Sequence, residues 1–134
     1  MSRIESRADL MTYLGHFNHK EYEQQIAYYA PDVIYKVGSL TLTNPRQIAE
    51  FYADFHQHVK EHVELVDSAI DGDTVAVALH ATFEPFRDYE RHGLTFTVGT
   101  TTDIMSFVFY RLQNGRIRRI RMTRYGGTPA DFAS

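Results

Sequence analysis

Cysteine and tryptophan are absent from this chain. Without cysteine there is no disulfide, no thiolate nucleophile and no thiolate metal site. Neither sign of charge dominates: 14 Lys and Arg stand against 17 Asp and Glu, a net −3. Nothing in that balance draws the chain to nucleic acid or to an anionic membrane. No apolar run approaches the ~20 residues that a membrane span needs. The start, "MSRIESRADL", is too charged for a secretory h-region, so a cytoplasmic location is expected. Repeats, linkers and low-complexity segments are also missing. What is present fits one domain over residues 1–134, with 43% hydrophobic and 23% charged residues, long enough to bury a core. Nine Phe and nine Tyr stand out. Such a number of phenols suits either an aromatic-rich core or a small-ligand pocket with polar tips in apolar walls.

Periodicity divides the chain. Ser2 and Glu5 form an S-x-x-E capping box, and Leu10, Tyr13, Leu14 and Phe17 make an apolar stripe behind it, which predicts a helix over about 3–17. Asn18 and Glu21 signal a second start. Tyr22, Ile26 and Tyr29 carry that helix to about Ala30, where Pro31 stops it. "DVIYKV" alternates as a short strand, and Gly38-Ser39 turns it into "LTLT". Asn44 caps a third helix with Pro45 at its first position, and Ile48, Phe51, Tyr52, Phe55 and Val59 mark its apolar face. "EHVELVDSAI" is a strand ending in the hairpin signal Asp71-Gly72. In "TVAVALHATFEPF", Val75, Val77, Leu79, Ala81 and Phe83 share one face, opposite Ala76, Ala78, His80, Thr82 and Glu84. "RDYERHG" reads as a polar loop, in which Arg87 and Arg91 either gate a mouth or are simply solvated. "LTFTVGTTTDIMSFVFYRLQ" reads as one long strand bent at Gly99, Asn114-Gly115 as a second hairpin turn, and "RIRRIRMTRY" as the last strand before a short polar tail. The expected order is ααββαββββ, an α+β domain with three helices in a strongly curved antiparallel sheet.

This order, with "YYAPDVIYKV", "NPRQIAEFY" and "LQNGRIRRIRM" in these places, resembles the NTF2-like superfamily, which includes ketosteroid isomerases, SnoaL-type polyketide cyclases, scytalone dehydratase and limonene epoxide hydrolase. The resemblance runs over about residues 3–125 and implies an NTF2-like (cystatin-like) cone with a pocket at its mouth. Bacterial ketosteroid isomerases carry three hydrogen-bonded tyrosines, which fall on Tyr13, Tyr29 and Tyr52. The resemblance thus implies that Tyr13 polarises a carbonyl while the others hold it. The isomerase's general base falls on Val37 and its second oxyanion donor on Phe107, so steroid isomerisation in the known way is not implied.

With the sheet placed in this way, Asp103, Met105, Phe107 and Phe109 are expected inside. A carboxylate among apolar side chains can move a proton near neutrality; the competing reading of Asp103 is a wetted strand end. Arg124 follows Ile120 and Met122 on the inner face and can pair with Asp103 or hold an anion, as in the acid–arginine–acid set of limonene epoxide hydrolases. Arg119 and Arg121 then point outward. His16 lies one turn after Tyr13 and is either a base or an exposed helix-end histidine; His56, one turn after Tyr52, has a similar claim. His58 and His62 are expected to face solvent. "HQHVKEH" has metal-like spacing, but an i, i+2 pair on a helix points to different sides, so no metal is assigned. Ala76, Ala78, His80, Ser106 and Tyr110 are expected on the outer sheet face, as the contact surface of a homodimer. A one-residue slip would reverse this.

The expected function is that of a cofactor-free isomerase, lyase or cyclase acting on a small hydrophobic carbonyl or hydroxyl compound. Tyr13 stabilises an oxyanion, and Asp103 or His16 moves a proton. Tyr29, Tyr35, Tyr52, Phe55, Phe83, Met105, Phe107, Met122 and Arg124 line the pocket. A non-catalytic ligand-binding protein and an epoxide-hydrolase-like enzyme are the alternatives.

Overall fold

Helix α1 spans Arg7–Asn18 and is capped four residues later than expected. The Ser6 hydroxyl accepts from the Asp9 amide at 3.2 Å, and the Asp9 carboxylate accepts from the Glu5 amide at 2.8 Å. The chemistry is that of a capping box, with Asp in place of Glu. The residues ahead of it are not helical, and the Ile4 amide donates to the Gly115 carbonyl at 2.8 Å. Helix α2 is only Tyr22–Ile26. It stops short of Ala30 because Tyr29 already belongs to strand β1 (Tyr29–Val37) and pairs with Ile117. The strand runs through Pro31, where its register shifts between Tyr29 and Ile34; an irregularity tolerates the missing N–H. Helix α3 starts as expected, with the Asn44 side chain accepting from the Gln47 amide, but it spans only Pro45–Phe55. Val59, expected on its apolar face, instead opens a strand and pairs with Pro85. Asn18 caps nothing. Its amide instead makes two 2.8 Å bonds to the backbone of Val63, which occupies part of an edge strand.

A computed structural model describes residues 2–91 and 93–125; the polar tail lies outside the described residues. The remaining strands are β2 (Leu40–Leu42), β3 (Val59–Asp71), β4 (Thr74–Pro85), β5 (Tyr89–Arg91), β6 (Leu94–Phe96), β7 (Thr102–Gln113) and β8 (Arg116–Tyr125). Six of the strands form one sheet in the order β2-β1-β8-β7-β4-β3, and β5 and β6 form a separate ribbon. Every neighbouring pair is antiparallel except β1 and β8, which are parallel. The long strand expected from Leu94 to Gln113 is therefore two strands, broken around Gly99 at φ +87, and part of the "RDYERHG" loop is strand β5. The loop between β3 and β4 is Gly72-Asp73, one residue later than read, with Gly72 at φ +59. Asn114 and Gly115 both have positive φ, as a type I′ turn requires.

The helices cover one face of the sheet. On β4 the expected alternation holds: Val75, Val77, Leu79, Ala81 and Phe83 are buried with the helical core. On β7 the phase is reversed. Ala81 pairs with Ile104, Leu79 with Ser106, Val77 with Val108 and Val75 with Tyr110. Paired residues share a face, so Ile104, Ser106, Val108 and Tyr110 point inward, and Asp103, Met105, Phe107 and Phe109 point outward. Ser106 and Tyr110, expected outside, are corrected to inside; Ala76, Ala78 and His80 stand outside as expected. On β8 the phase is as read: Ile120, Met122 and Arg124 pair with the inward Tyr110, Val108 and Ser106.

Candidate active site

Between the three helices and the inner sheet face lies a cavity of about 470 Å³. Phe17, Phe51, Phe55, Phe83, Leu79, Ile104, Ile120 and Met122 give it apolar walls, and five phenols reach it: Tyr13, Tyr29, Tyr35, Tyr52 and Tyr110. Each phenol comes from an element placed by its own apolar neighbours. Tyr13 is on the buried stripe of α1, Tyr52 on that of α3, Tyr29 and Tyr35 on β1, and Tyr110 on β7.

The phenols form two hydrogen-bonded sets. Tyr13 and Tyr29 are 2.7 Å apart, and the Gln25 amide donates to the Tyr29 oxygen at 2.9 Å. Either hydroxyl of the Tyr13–Tyr29 pair can be the donor, and the Tyr13 hydroxyl is also hydrogen-bonded to Tyr110, which links the phenol of β7 to this set. Tyr35 and Tyr52 are hydrogen-bonded to each other. Tyr52, expected to join Tyr13 and Tyr29, is thus bonded to Tyr35 instead. Burial holds all five phenols protonated: it pushes Tyr29 up to about 12 and raises Tyr13, Tyr35, Tyr52 and Tyr110 above the usual phenol range. A neutral phenol donates to an oxyanion without first losing its own proton.

A half-buried acid lines the same cavity. Glu61 lies on β3 opposite Phe83 and lines the cavity, with its side chain 9% exposed. Its carboxylate is 2.9 Å from His56 Nε2, and His56 Nδ1 is 2.7 Å from the Tyr22 hydroxyl. His56 is the residue that closes α3. Phe17 packs edge-on against its ring, and Tyr22 lies within 20° of its plane. Burial raises Tyr22 and Tyr52 first; the Glu61 charge adds to the rise of Tyr22 and, after Tyr35, to that of Tyr52. At the mouth, Arg91 donates to Asp54 at 2.9 Å and sits 4.3 Å over the Phe51 ring. Arg124 reaches the cavity from β8.

The cavity therefore gathers Tyr13, Tyr29, Tyr35, Tyr52, Phe55, Phe83, Met122 and Arg124 of the expected set. It does not gather Asp103, Met105, Phe107 or His16. Asp103 is exposed on the outer face, where it accepts from His80 Nε2 at 2.8 Å and Thr82 Oγ1 at 3.1 Å. Asp103 and Arg124 thus stand on opposite faces and cannot form the expected pair. Met105 is buried on the outer face, and Phe107 packs on Tyr125. His16 bonds Glu21 at 3.0 Å at the end of α1. His58, expected in solvent, stacks on Tyr89 at 4.2 Å. Glu61 was missed, although its signal was present: Val59, Glu61, Val63 and Leu65 alternate, which puts the acid on an apolar face. Among the described residues no group of three or more metal-binding side chains converges, and no helix is long and apolar enough to cross a membrane.

A family model described as a SnoaL-like domain matches residues 11–120. No curated protein gives a match. Among solved structures, the chain is similar to a LEH-like epoxide hydrolase from M. tuberculosis, with 14% identity, TM-score 0.69 and coverage of 87% of this chain and 79% of that one. It is similar to a protein provisionally named a polyketide cyclase from Xanthomonas campestris, with 18% identity, TM-score 0.72 and coverage of 92% and 91%. It is also similar to an NTF2-like protein of unknown function from Burkholderia pseudomallei, with 13% identity, TM-score 0.72 and coverage of 91% and 89%. At these identities the likeness carries the fold.

Proposed function

The chain belongs to the SnoaL-like domain family of the NTF2-like superfamily, and from that premise we propose that it is a cofactor-free isomerase, lyase or cyclase acting on a small hydrophobic carbonyl compound. The observation that supports this most is that one half-buried carboxylate, Glu61, shares an apolar cavity with neutral phenols. Glu61 takes the proton next to the substrate carbonyl. The charge that develops on oxygen receives the Tyr13 O–H, in a site with little water to compete. Proton transfer passes to Glu61 because Asp103 and His16, the sequence candidates, lie off the cavity.

The test needs no natural substrate. A simple ketone such as tetralone is incubated in deuterated water, and exchange of its α-protons is followed by NMR. The wild-type protein is expected to accelerate exchange. Tyr13→Phe is expected to lower the turnover by about 10²–10³ with little change in affinity. Equal loss of both would sink the oxyanion role. Binding without exchange would favour the non-catalytic reading, which draws support from Val37 lining the cavity where the isomerase's base would stand. Pairing of two copies through the outer sheet face is part of the proposal. Exposed Phe107 and Phe109 beside Ala76 and Ala78 support it, and sedimentation of Phe109→Glu tests it.

A further inference from the structure

Glu61 lines the cavity with its side chain mostly covered, and a continuous string of polar atoms leads away from it towards the surface. His56 meets Glu61 through Nε2 and Tyr22 through Nδ1. His56 is buried, with its side chain 2% exposed, and Tyr22, on the short helix α2, is partly exposed. The ring is clamped by Phe17, Tyr22 and Tyr52, so its nitrogens cannot turn to other partners. We propose that His56 and Tyr22 form a proton conduit that joins Glu61 to solvent and sets whether it stands as base or acid. This rests on the reading of Glu61 as the proton-transfer group.

The hydrogen bonds admit two states that differ by one proton. With Glu61 ionised, Tyr22 O–H donates to Nδ1 and Nε2–H donates to the carboxylate. With Glu61 protonated, its O–H donates to Nε2, Nδ1–H donates to the Tyr22 oxygen, and the Tyr22 O–H points out. One concerted shift interconverts them. Solvent gives a proton to the Tyr22 oxygen, Tyr22 gives its own to Nδ1, and Nε2 gives its own to Glu61. At each station one bond to hydrogen breaks as another forms, and the imidazole is neutral at both ends. The carboxyl is then ready to donate, as a lyase or cyclase requires. The other titratable groups facing Glu61 are Tyr35 on β1 and Tyr52 on α3, and both stay protonated throughout.

The conduit makes a spectroscopic demand that a packing role does not. In protein labelled with ¹⁵N-histidine and ¹³C-glutamate, lowering the pH should switch His56 from Nε2–H to Nδ1–H in step with protonation of the Glu61 carboxyl. Tyr22→Phe removes the acceptor for Nδ1–H and should abolish the switch. A wild-type ring that keeps Nε2–H while Glu61 protonates, or becomes imidazolium, overturns the conduit. So does a switch that survives in Tyr22→Phe. These readouts use no substrate, so they stand even if α-proton exchange is never seen, which would be a failure of the proposed function alone. Where exchange is seen, optically pure α-methyltetralone adds a second measure. The ratio of deuterium uptake to racemisation should fall several-fold in Tyr22→Phe, and an unchanged ratio counts against the conduit.

Discussion

Strands β4 and β7 lie side by side, yet only one of them declares its faces. On β4 the inward positions are Val, Val, Leu, Ala and Phe, while the outward ones are small or polar. On β7 the outward positions carry Met105, Phe107 and Phe109, and the inward ones include Ser106 and Tyr110. Taken as hydropathy alone, β7 points the wrong way round. Burial near 1% for both Met105 and Val108, neighbours in phase opposition, shows that both faces are covered at places. An amphipathic strand records its orientation in its own residues. A strand apolar on both sides takes its orientation from the partner it pairs with.

The contrast between the two faces can be broken by substitution. The largest effect is expected at Glu61: Glu61→Gln keeps the shape and an acceptor for His56 but should cost about a thousandfold in α-proton exchange, whereas Asp103→Asn on the outer face should leave exchange unchanged. A loss for Asp103→Asn, with activity kept in Glu61→Gln, would reinstate the sequence reading. Next comes packing. Ile120→Ala on the inner face should destabilise by about 2–5 kcal/mol in denaturant melts. Phe109→Ala, from a half-exposed position, should cost much less, about 1 kcal/mol or below. Alkaline titration sharpens the same contrast. Tyr29 is raised from 10.0 to about 12 in the folded chain, so its contribution is complete below pH 10 and is lost as the pH climbs from 10 towards 12. That is about 3 kcal/mol for this group. Tyrosinate absorbance of the buried phenols should therefore rise together with loss of the far-ultraviolet signal of folding, and independent early ionisation would contradict their burial. The smallest expected effect is at the cap: Ser6→Ala should cost about 1 kcal/mol, while Ser2→Ala should cost nothing measurable.

Much of the fold was legible. The third helix, with Asn44 and Pro45 at its start, was readable because cap and periodicity agree. Both main hairpins were marked by glycine-containing turns. Helix α2 was overread since its apolar spacing continues past Ile26, while Tyr29 is held by Ile117, a partner 88 residues away in sequence. The ribbon of β5 and β6 was hidden in a polar loop, where pairing of Tyr89 with Phe96 leaves little local trace. In the site, four of the five phenols and the Tyr13–Tyr29 bond were found, but Tyr110 was expected outside, Tyr52 bonds Tyr35 instead, and the carboxylate is Glu61.

By itself the sequence determined the class of the chain, the start of the third helix, the places of the main turns to within a residue, and the inward face of β4, because these follow from local spacing and from apolar area seeking burial. Tertiary structure alone decided which face of β7 looks inward, that Tyr52 meets Tyr35, and which acid enters the cavity. Those depend on strand pairing, where a shift of one residue exchanges the two faces, and no local pattern in a strand apolar on both sides selects between them.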